Sequence, residues 1–503
     1  MTTWRGLQDL NQENPAIDSY LKTSAELFQA HGADAFRLDA IKSVTWGWEY
    51  SFANAIFNNR PSYLFGEWNP NSAADPLYAD AYKFANRSGI SELDFGINQA
   101  IRDVFGTNTN FSEIDSALST EDANFTFPND LVTFFDSQDE SRLYGNLTTN
   151  QNRLHEALAF LLTCRGIPNI FYGDEQYLYN TTDGGNDPYN RVGMSSFNTS
   201  TLAYQLIAKL AGLRANNNAL GYGTTQQRWI NGDVYIFERQ FFDSVVLVAI
   251  NKSETTGYNI TGLNTALPAG TYSDYLGSLL GGGAVTVSAA SSGINPVTGF
   301  VLNPHTVAVW QKQAAATAPE IGGVGPYVGQ PGMAVTIVGD GFGASGGRVY
   351  FGATAATVSS WSNTSVTFTV PPVMPGGYDV TLNNSGGVES NGIYFSVLTA
   401  KLIPVTFTVN NAVPTSPGDY IFLTGSTPEL GNWSTSFQTA VGPMLDPQYP
   451  NWFLNTAMPA GTNIQFKFIK IAASGAVTWE NGSNHTYTVP SSGTGSVNVT
   501  WQN

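Results

Sequence analysis

The chain has 503 residues, too many for one hydrophobic core when domains usually run to roughly 100–200 residues, so several domains are required. Only 12% of the residues are charged, and the sequence is rich in Gly, Asn, Ser, Thr and aromatics, a balance that suits a polar, β-rich, exported protein. The formal net charge of −17 excludes a nucleic-acid binder, since a phosphate backbone needs a basic stripe, and fits a neutral polymer better.

The single cysteine, Cys164 in the apolar run AFLLTCRGIP, rules out an intrachain disulfide and reads as a small buried hydrophobe. No signal peptide opens the sequence, and no apolar run reaches the roughly 18 residues of a membrane span. A mature, secreted form with no membrane partner is therefore expected.

From Asp18 to about Asn217, amphipathic helical stretches alternate with short apolar strands: AFRLDAI, YLFGEWN, LVTFFDS and NIFYGDEQ. That alternation predicts a parallel sheet with covering helices, and polar residues stand at the strand ends, where barrel active sites are assembled. After Asn217 the helical period fades, and RWINGDVYIFERQF and SVVLVAIN alternate with Gly and Asn turns up to Trp310, predicting an antiparallel β domain. A linker, KQAAATAPEI, follows. Short strands with glycine turns from Pro319 to Val397 predict an immunoglobulin-like sandwich, and the block from about Ala400 is again all β. The expected domains are 1–217, 218–314, 315–398 and 399–503.

Three acids stand where strands are expected to end: Asp39 in FRLDAIK, Glu67 in LFGEWNP and Asp139 in FFDSQDESR. Cleaving an acetal needs an acid to protonate the leaving oxygen and a carboxylate to meet positive charge at the anomeric carbon. A third carboxylate can bind sugar hydroxyls and raise the acid's pKa. Arg37, two residues before Asp39, points to the same strand face and can keep Asp39 ionised. Phe65 and Trp68 flank Glu67 with apolar bulk that favours its protonated form. One acid at a strand end is ordinarily a cap or a surface residue; three such motifs in order say more.

FRLDAIK, FGEWNP and FFDSQDESR resemble, in order, three signature regions of the α-amylase superfamily, glycoside hydrolase family 13. GLQDLNQEN, RGIPNIFYGDEQY, NDPYNR, GYGTTQQRWINGDVYIFER and GPYVGQPGM extend the likeness to cyclodextrin glucanotransferases and maltogenic amylases over almost the whole chain. The resemblance implies a retaining double displacement on starch and malto-oligosaccharides, with Asp39 as nucleophile, Glu67 as general acid and base, and Asp139 as transition-state stabiliser. By the same likeness Arg37, Lys42, Gln138, Asp187 and Arg191 attend the sugar.

The resemblance also implies that Asp39 closes the fourth strand of an eight-stranded barrel, so the chain as given supplies a partial (β/α) TIM-type barrel, strands four to eight, followed by three all-β domains. Five strands cannot close such a barrel, and a homodimer covering the open side is expected. Ser43 and Gln138 stand where the family carries histidines. Arg5 and Asn69 stand where it carries aromatics that hold a sugar acceptor, which favours hydrolysis over cyclisation. A residual glucanotransferase, or a starch-binding protein with a degenerate catalytic domain, are the competing readings. Asp9 matches a family calcium ligand; calcium needs about six to eight oxygens, and the alternative is that Asp9 caps a turn in DLNQEN.

The last domain resembles carbohydrate-binding module family 20. The likeness implies that Trp433 in ELGNW and Trp479 in TWENGSNH form one starch site, with Lys467, Glu480 and Asn484 as hydrogen-bonding partners. Tyr449 in QYPNW marks a second site, while Trp452 packs inside. Two weak sites on one module raise avidity for a granule.

Overall fold

The computed structural model describes residues 10, 12, 14–70, 78–291, 293–412, 415–437 and 439–503. They fall into two compact units: Met1–Asn69, Ala74–Ser91 and Ala318–Asn503 in the first, Pro70–Ala73 and Glu92–Thr317 in the second.

In the first unit, a helix at Pro15–Ala30 starts on an Asn14 cap whose side chain accepts from the Ala16 amide, with proline in its first turn. The strand Ala35–Leu38, the helix Trp46–Asn59 and the strand Tyr63–Gly66 then form a βαβ unit. The strands pair in parallel from Ala35 opposite Tyr63 to Leu38 opposite Gly66. The Glu67 amide donates to the Leu38 carbonyl at 2.9 Å, which extends the ladder and brings Asp39 and Glu67 out at the same strand ends.

Nearly every residue of the helix Trp46–Asn59, from Gly47 to Phe57, is buried. The helix packs on two strands of the C-terminal module, Leu402–Asn410 and Asn451–Pro459. The approach at Gly47 is so close that a Cβ there would lie 2.2 Å from Asn455 Oδ1 and 2.6 Å from the Thr456 carbonyl. Asn54 Oδ1 accepts from the Leu402 amide at 3.1 Å. By contrast, Tyr20, Leu27 and Phe28 of the first helix are exposed, and among the described residues Ala35–Leu38 pairs with Tyr63–Gly66 alone.

The residues from Glu320 to Val397 form one curled sheet of eight strands over Val335, Ile337, Phe351, Phe368 and Phe395. Two four-stranded sheets make the C-terminal module, closed over Phe407, Phe466, Phe468 and Trp452. Trp452 is 5% exposed, so it packs inside as its context predicts.

The second unit carries short parallel pairings, Leu93 with Val132 and Val132–Thr133 with Ile167–Pro168. The helices Gln151–Thr163 and Leu202–Asn216 pack together, and with Phe95–Ile101 and Ser112–Asn124 they share one core with the following β domain. That domain is a four-stranded antiparallel sheet, Thr306–Lys312, Ser244–Asn251, Val234–Phe241 and Thr224–Ile230 in spatial order. Cys164 is fully buried and its thiol is pushed up to about 11 by desolvation, the inert state expected of it. Two local expectations fail. NIFYGDEQ is turn and 3₁₀ helix, the strand lying just before it at Ile167–Pro168, and a short helix, Asn218–Tyr222, persists beyond Asn217. Among the described residues no helix is long and apolar enough to cross a membrane.

Candidate active site

In the first unit, Arg37 bridges both acids of the βαβ edge. Its Nη1 donates to Asp39 Oδ1 at 2.6 Å and its Nη2 to Glu67 Oε2 at 3.0 Å. The two carboxyls differ in surroundings: the Asp39 side chain is 76% exposed and that of Glu67 19%. The Arg37 hydrogen bond holds Asp39 below the usual carboxylate range, although partial burial opposes it. Glu67 moves the other way. Burial raises its pKa first, and the hydrogen bond it shares with Asp39 adds to the shift. The two shifts run in opposite directions, although the Arg37 charge pulls the Glu67 value back down.

The backbone helps. Ala40 sits at φ +47 in a tight turn into Ile41–Ser43, which aims its amide at Glu67 Oε2, 3.4 Å away. A Cβ on Gly66 would meet Ile41 Cδ1 at 2.2 Å, so a larger residue just before the acid would have to displace the buried Ile41 side chain. Lys42 Nζ donates to the Asn69 carbonyl at 2.5 Å, tying the two acid-bearing motifs together.

In the second unit, Arg191 gathers another acidic pair, Nη2 lying 3.3 Å from Asp139 Oδ1 and 2.9 Å from Asp187 Oδ1. Gln138 contributes its main chain: the carbonyl accepts from Arg191 Nε at 3.1 Å and Asn190 Nδ2 at 2.7 Å. Asn190 is fully buried and also donates to the carbonyls of Ser137 and Glu140, pinning the turn that carries Asp139. Sequence reasoning passed over Asn190, although it stands inside NDPYNR between Asp187 and Arg191. Beneath the turn, Asp136 accepts from Arg102 and the Leu143 amide, and burial raises its pKa to about 6. Arg142 pairs with buried Asp174 at 2.8 Å and lies 4.4 Å from the Phe171 ring.

On the C-terminal module the rings of Trp433 and Trp479 lie 6.5 Å apart at 40°, and Trp479 is 39% exposed. Asn484 is exposed, its amide donating to Gln465 Oε1 at 3.1 Å. Two implied sugar partners are placed differently. Glu480 is 2% exposed, and its oxygens serve the Phe468 amide at 2.8 Å, His485 at 3.2 Å and the Gln502 amide at 3.3 Å. Lys467 Nζ donates to the carbonyls of Glu480, Asn481 and Gly482 within 3.0 Å. Both groups are engaged in shaping the loop that follows Trp479. Tyr449 is 54% exposed, its hydroxyl accepting from Thr415 at 3.2 Å. Thr415, Trp479 and Trp501 line a cavity of about 250 Å³.

Asp9 and Arg5 lie outside the described residues. Among the described residues no group of three or more His, Cys, Asp or Glu side chains fits a metal ion.

Parallel strands ending in a bridged carboxyl pair, with a two-tryptophan surface on a β module, define an α-amylase-type catalytic segment coupled to a starch-binding domain. Family models agree: the α-amylase catalytic domain matches residues 2–201, the IPT/TIG domain 319–399 and the starch-binding domain 402–499. The chain is 49% identical over 501 residues to a cyclomaltodextrin glucanotransferase of Thermoanaerobacterium thermosulfurigenes, covering 99% of this chain and 68% of that protein. A cyclomaltodextrin glucanotransferase of Niallia circulans is 46% identical over 504 residues, with 99% and 68% covered. The crystal structure of the γ-glucanotransferase of alkalophilic Bacillus clarkii superposes with a TM-score of 0.88 at 40% identity, over all of this chain and 74% of that one. The chain belongs to the cyclomaltodextrin glucanotransferase family of the α-amylase superfamily.

Proposed function

We propose that the protein is an α-1,4-glucan-acting retaining enzyme that adsorbs to starch, and that it transfers glycosyl groups between sugars as its relatives' names indicate. The observation that carries this is the carboxyl pair joined by Arg37, in which the Arg37 hydrogen bond lowers the Asp39 pKa while burial and the hydrogen bond with Asp39 raise that of Glu67. In the first half-reaction Asp39 attacks the anomeric carbon, the glycosidic bond breaks, and Glu67 protonates the departing oxygen. In the second, Glu67 takes the proton of an acceptor hydroxyl, which attacks the glycosyl–Asp39 ester and releases the carboxylate. Asp139, oriented by Arg191, is assigned to the sugar hydroxyls and Asp187 to the same task.

The acceptor decides between transfer and hydrolysis. The case for hydrolysis rests on Asn69, an exposed residue with no aromatic ring, and on Arg5. The relatives' names favour transfer and outweigh it. Soluble starch incubated with the protein should yield cyclic oligosaccharides, resolved by chromatography from linear ones. Exclusively linear products would restore the hydrolytic reading.

The C-terminal module, matched by the starch-binding family, is assigned to granule adsorption through Trp433 and Trp479, with Tyr449 as a second contact. Starch is too large to enter a cell, so action outside it fits. We also assign a second copy of the chain to the exposed Tyr20, Leu27 and Phe28 face and to the edge strand Ala35–Leu38. Light scattering at micromolar concentration should give twice the chain mass of 54.1 kDa; a stable monomer would reject this.

A further inference from the structure

The helix Tyr78–Ser88 of the catalytic segment directs two cations into the starch-binding module, all within the first unit. Arg87 Nη2 donates to the main-chain carbonyls of Thr439 and Ala440, the latter at 3.1 Å. Lys83 is 3% exposed, and its Nζ stands 3.7 Å from the centre of the Phe437 ring and 5.5 Å from that of Phe422. The two rings meet edge to face at 5.1 Å. A cation over an aromatic face in a dry setting is attracted to it.

The segment these groups hold leads back to Trp433. Gly431, Asn432 and Trp433 have φ of +71, +48 and +63, three successive residues in the left-handed region. For Asn and especially Trp that conformation is costly, and it persists only where the surroundings over-determine it. The returning limb supplies the restraint. Ser434 Oγ and Thr439 Oγ1 are 2.5 Å apart, the Ala440 amide donates to the Ser436 carbonyl at 2.9 Å, and the Thr439 carbonyl lies 2.5 Å from where a Cβ on Gly431 would sit. Arg87 therefore grips the very carbonyl that backs the left-handed turn.

We propose that Arg87, assisted by Lys83, is a positioning residue for starch binding: the catalytic segment holds the 431–440 loop so that Trp433 and Trp479 form one sugar platform. This rests on the assignment of those tryptophans to starch. With Arg87 removed, two carbonyls lose a charged donor, the turn relaxes toward ordinary backbone, and the indole leaves its place.

The test uses the full chain carrying Glu67→Gln, so that granules are not digested, and measures adsorption isotherms on raw starch granules. Trp433→Ala should weaken adsorption about tenfold. Arg87→Gln should weaken it by a similar factor, and Lys83→Met, which keeps the apolar stem, by less. Arg87→Lys should recover most of the loss, since an ammonium can still donate to a carbonyl. Without ligand, the near-ultraviolet circular dichroism of the coupled indoles should diminish in Arg87→Gln and return in Arg87→Lys. If Trp433→Ala weakens adsorption and Arg87→Gln does not, the positioning role is overturned while the starch site stands. If Trp433→Ala adsorbs like the parent, the starch assignment itself falls. Loss in Arg87→Gln with an unchanged indole signal and no recovery by lysine would mean general destabilisation and would also overturn the proposal.

Discussion

Replacing Glu67 with Gln should reduce turnover of soluble starch by about 10³-fold, within the range general acid–base catalysis supplies. Glutamine keeps the size of the side chain and can still accept from the Ala40 amide, but it has no proton to give the departing oxygen. The pH profile carries the sharper signature. The proposed double displacement needs Asp39 ionised and Glu67 protonated. Arg37 lowers the first pKa, and burial raises the second. The rate should therefore climb as pH rises through the lowered Asp39 value, hold a plateau, and fall as pH rises through the raised Glu67 value. Because the carboxyls share hydrogen bonds, both limbs belong to the pair. In Glu67→Gln the alkaline limb should vanish from the residual kcat/KM profile; its survival in place would show that another group is the acid.

The second large effect concerns stability. Arg165 is almost wholly buried in the second unit and meets three carboxylates: Asp94 at 3.1 Å, Asp122 at 2.6 Å, and Glu121. Arg165→Met leaves buried Asp94 and Glu121 without their cation, a change that costs about 3–5 kcal/mol when a buried pair is broken from one side. The unfolding transition of that unit should shift to lower temperature and lower urea. Buried carboxylates stripped of a neighbouring cation have raised folded pKa values, so their penalty grows as pH rises above the unfolded carboxylate range and shrinks on acidification. Urea melts of wild type and variant at several pH values should show the gap narrowing toward acid. A gap independent of pH would point to lost packing and not to lost charge.

Much of the first unit's chemistry was legible because it is local. Arg37 and Asp39 stand two residues apart at one strand end, and Glu67 follows directly on the neighbouring parallel strand, so pattern put them at strand ends, while their roles came with the family likeness. Asp139 was harder. Its strand ends at Thr133, and the acid sits in a turn fixed by Asn190 and Arg191, some fifty residues on, a dependence no local window contains. Lys467 and Glu480 were recognisable by likeness, yet their contacts, Lys467 to the carbonyls of 480–482 and Glu480 to Phe468, His485 and Gln502, emerge only with the sheet register. Arg165 stood in a conspicuous motif, but its carboxylate partners lie more than forty residues before it. Arg87 reaches backbone about 350 residues away, and nothing near it in sequence announces that contact.

The seam at Gly47 bears on how such proteins can be recombined. Because the helix Trp46–Asn59 uses the module's strands as its own inner wall, the C-terminal module cannot be exchanged like a bead on a string. A chimera that grafts a foreign starch-binding domain would have to carry over the Leu402–Asn410 and Asn451–Pro459 surface, or rewrite the helix to match. Cutting the chain at about residue 400 would strip that wall and leave an apolar helix face in water, in the helix that joins the two strands ending before Asp39 and Glu67. For this protein the natural unit of exchange is the module together with the helix it covers.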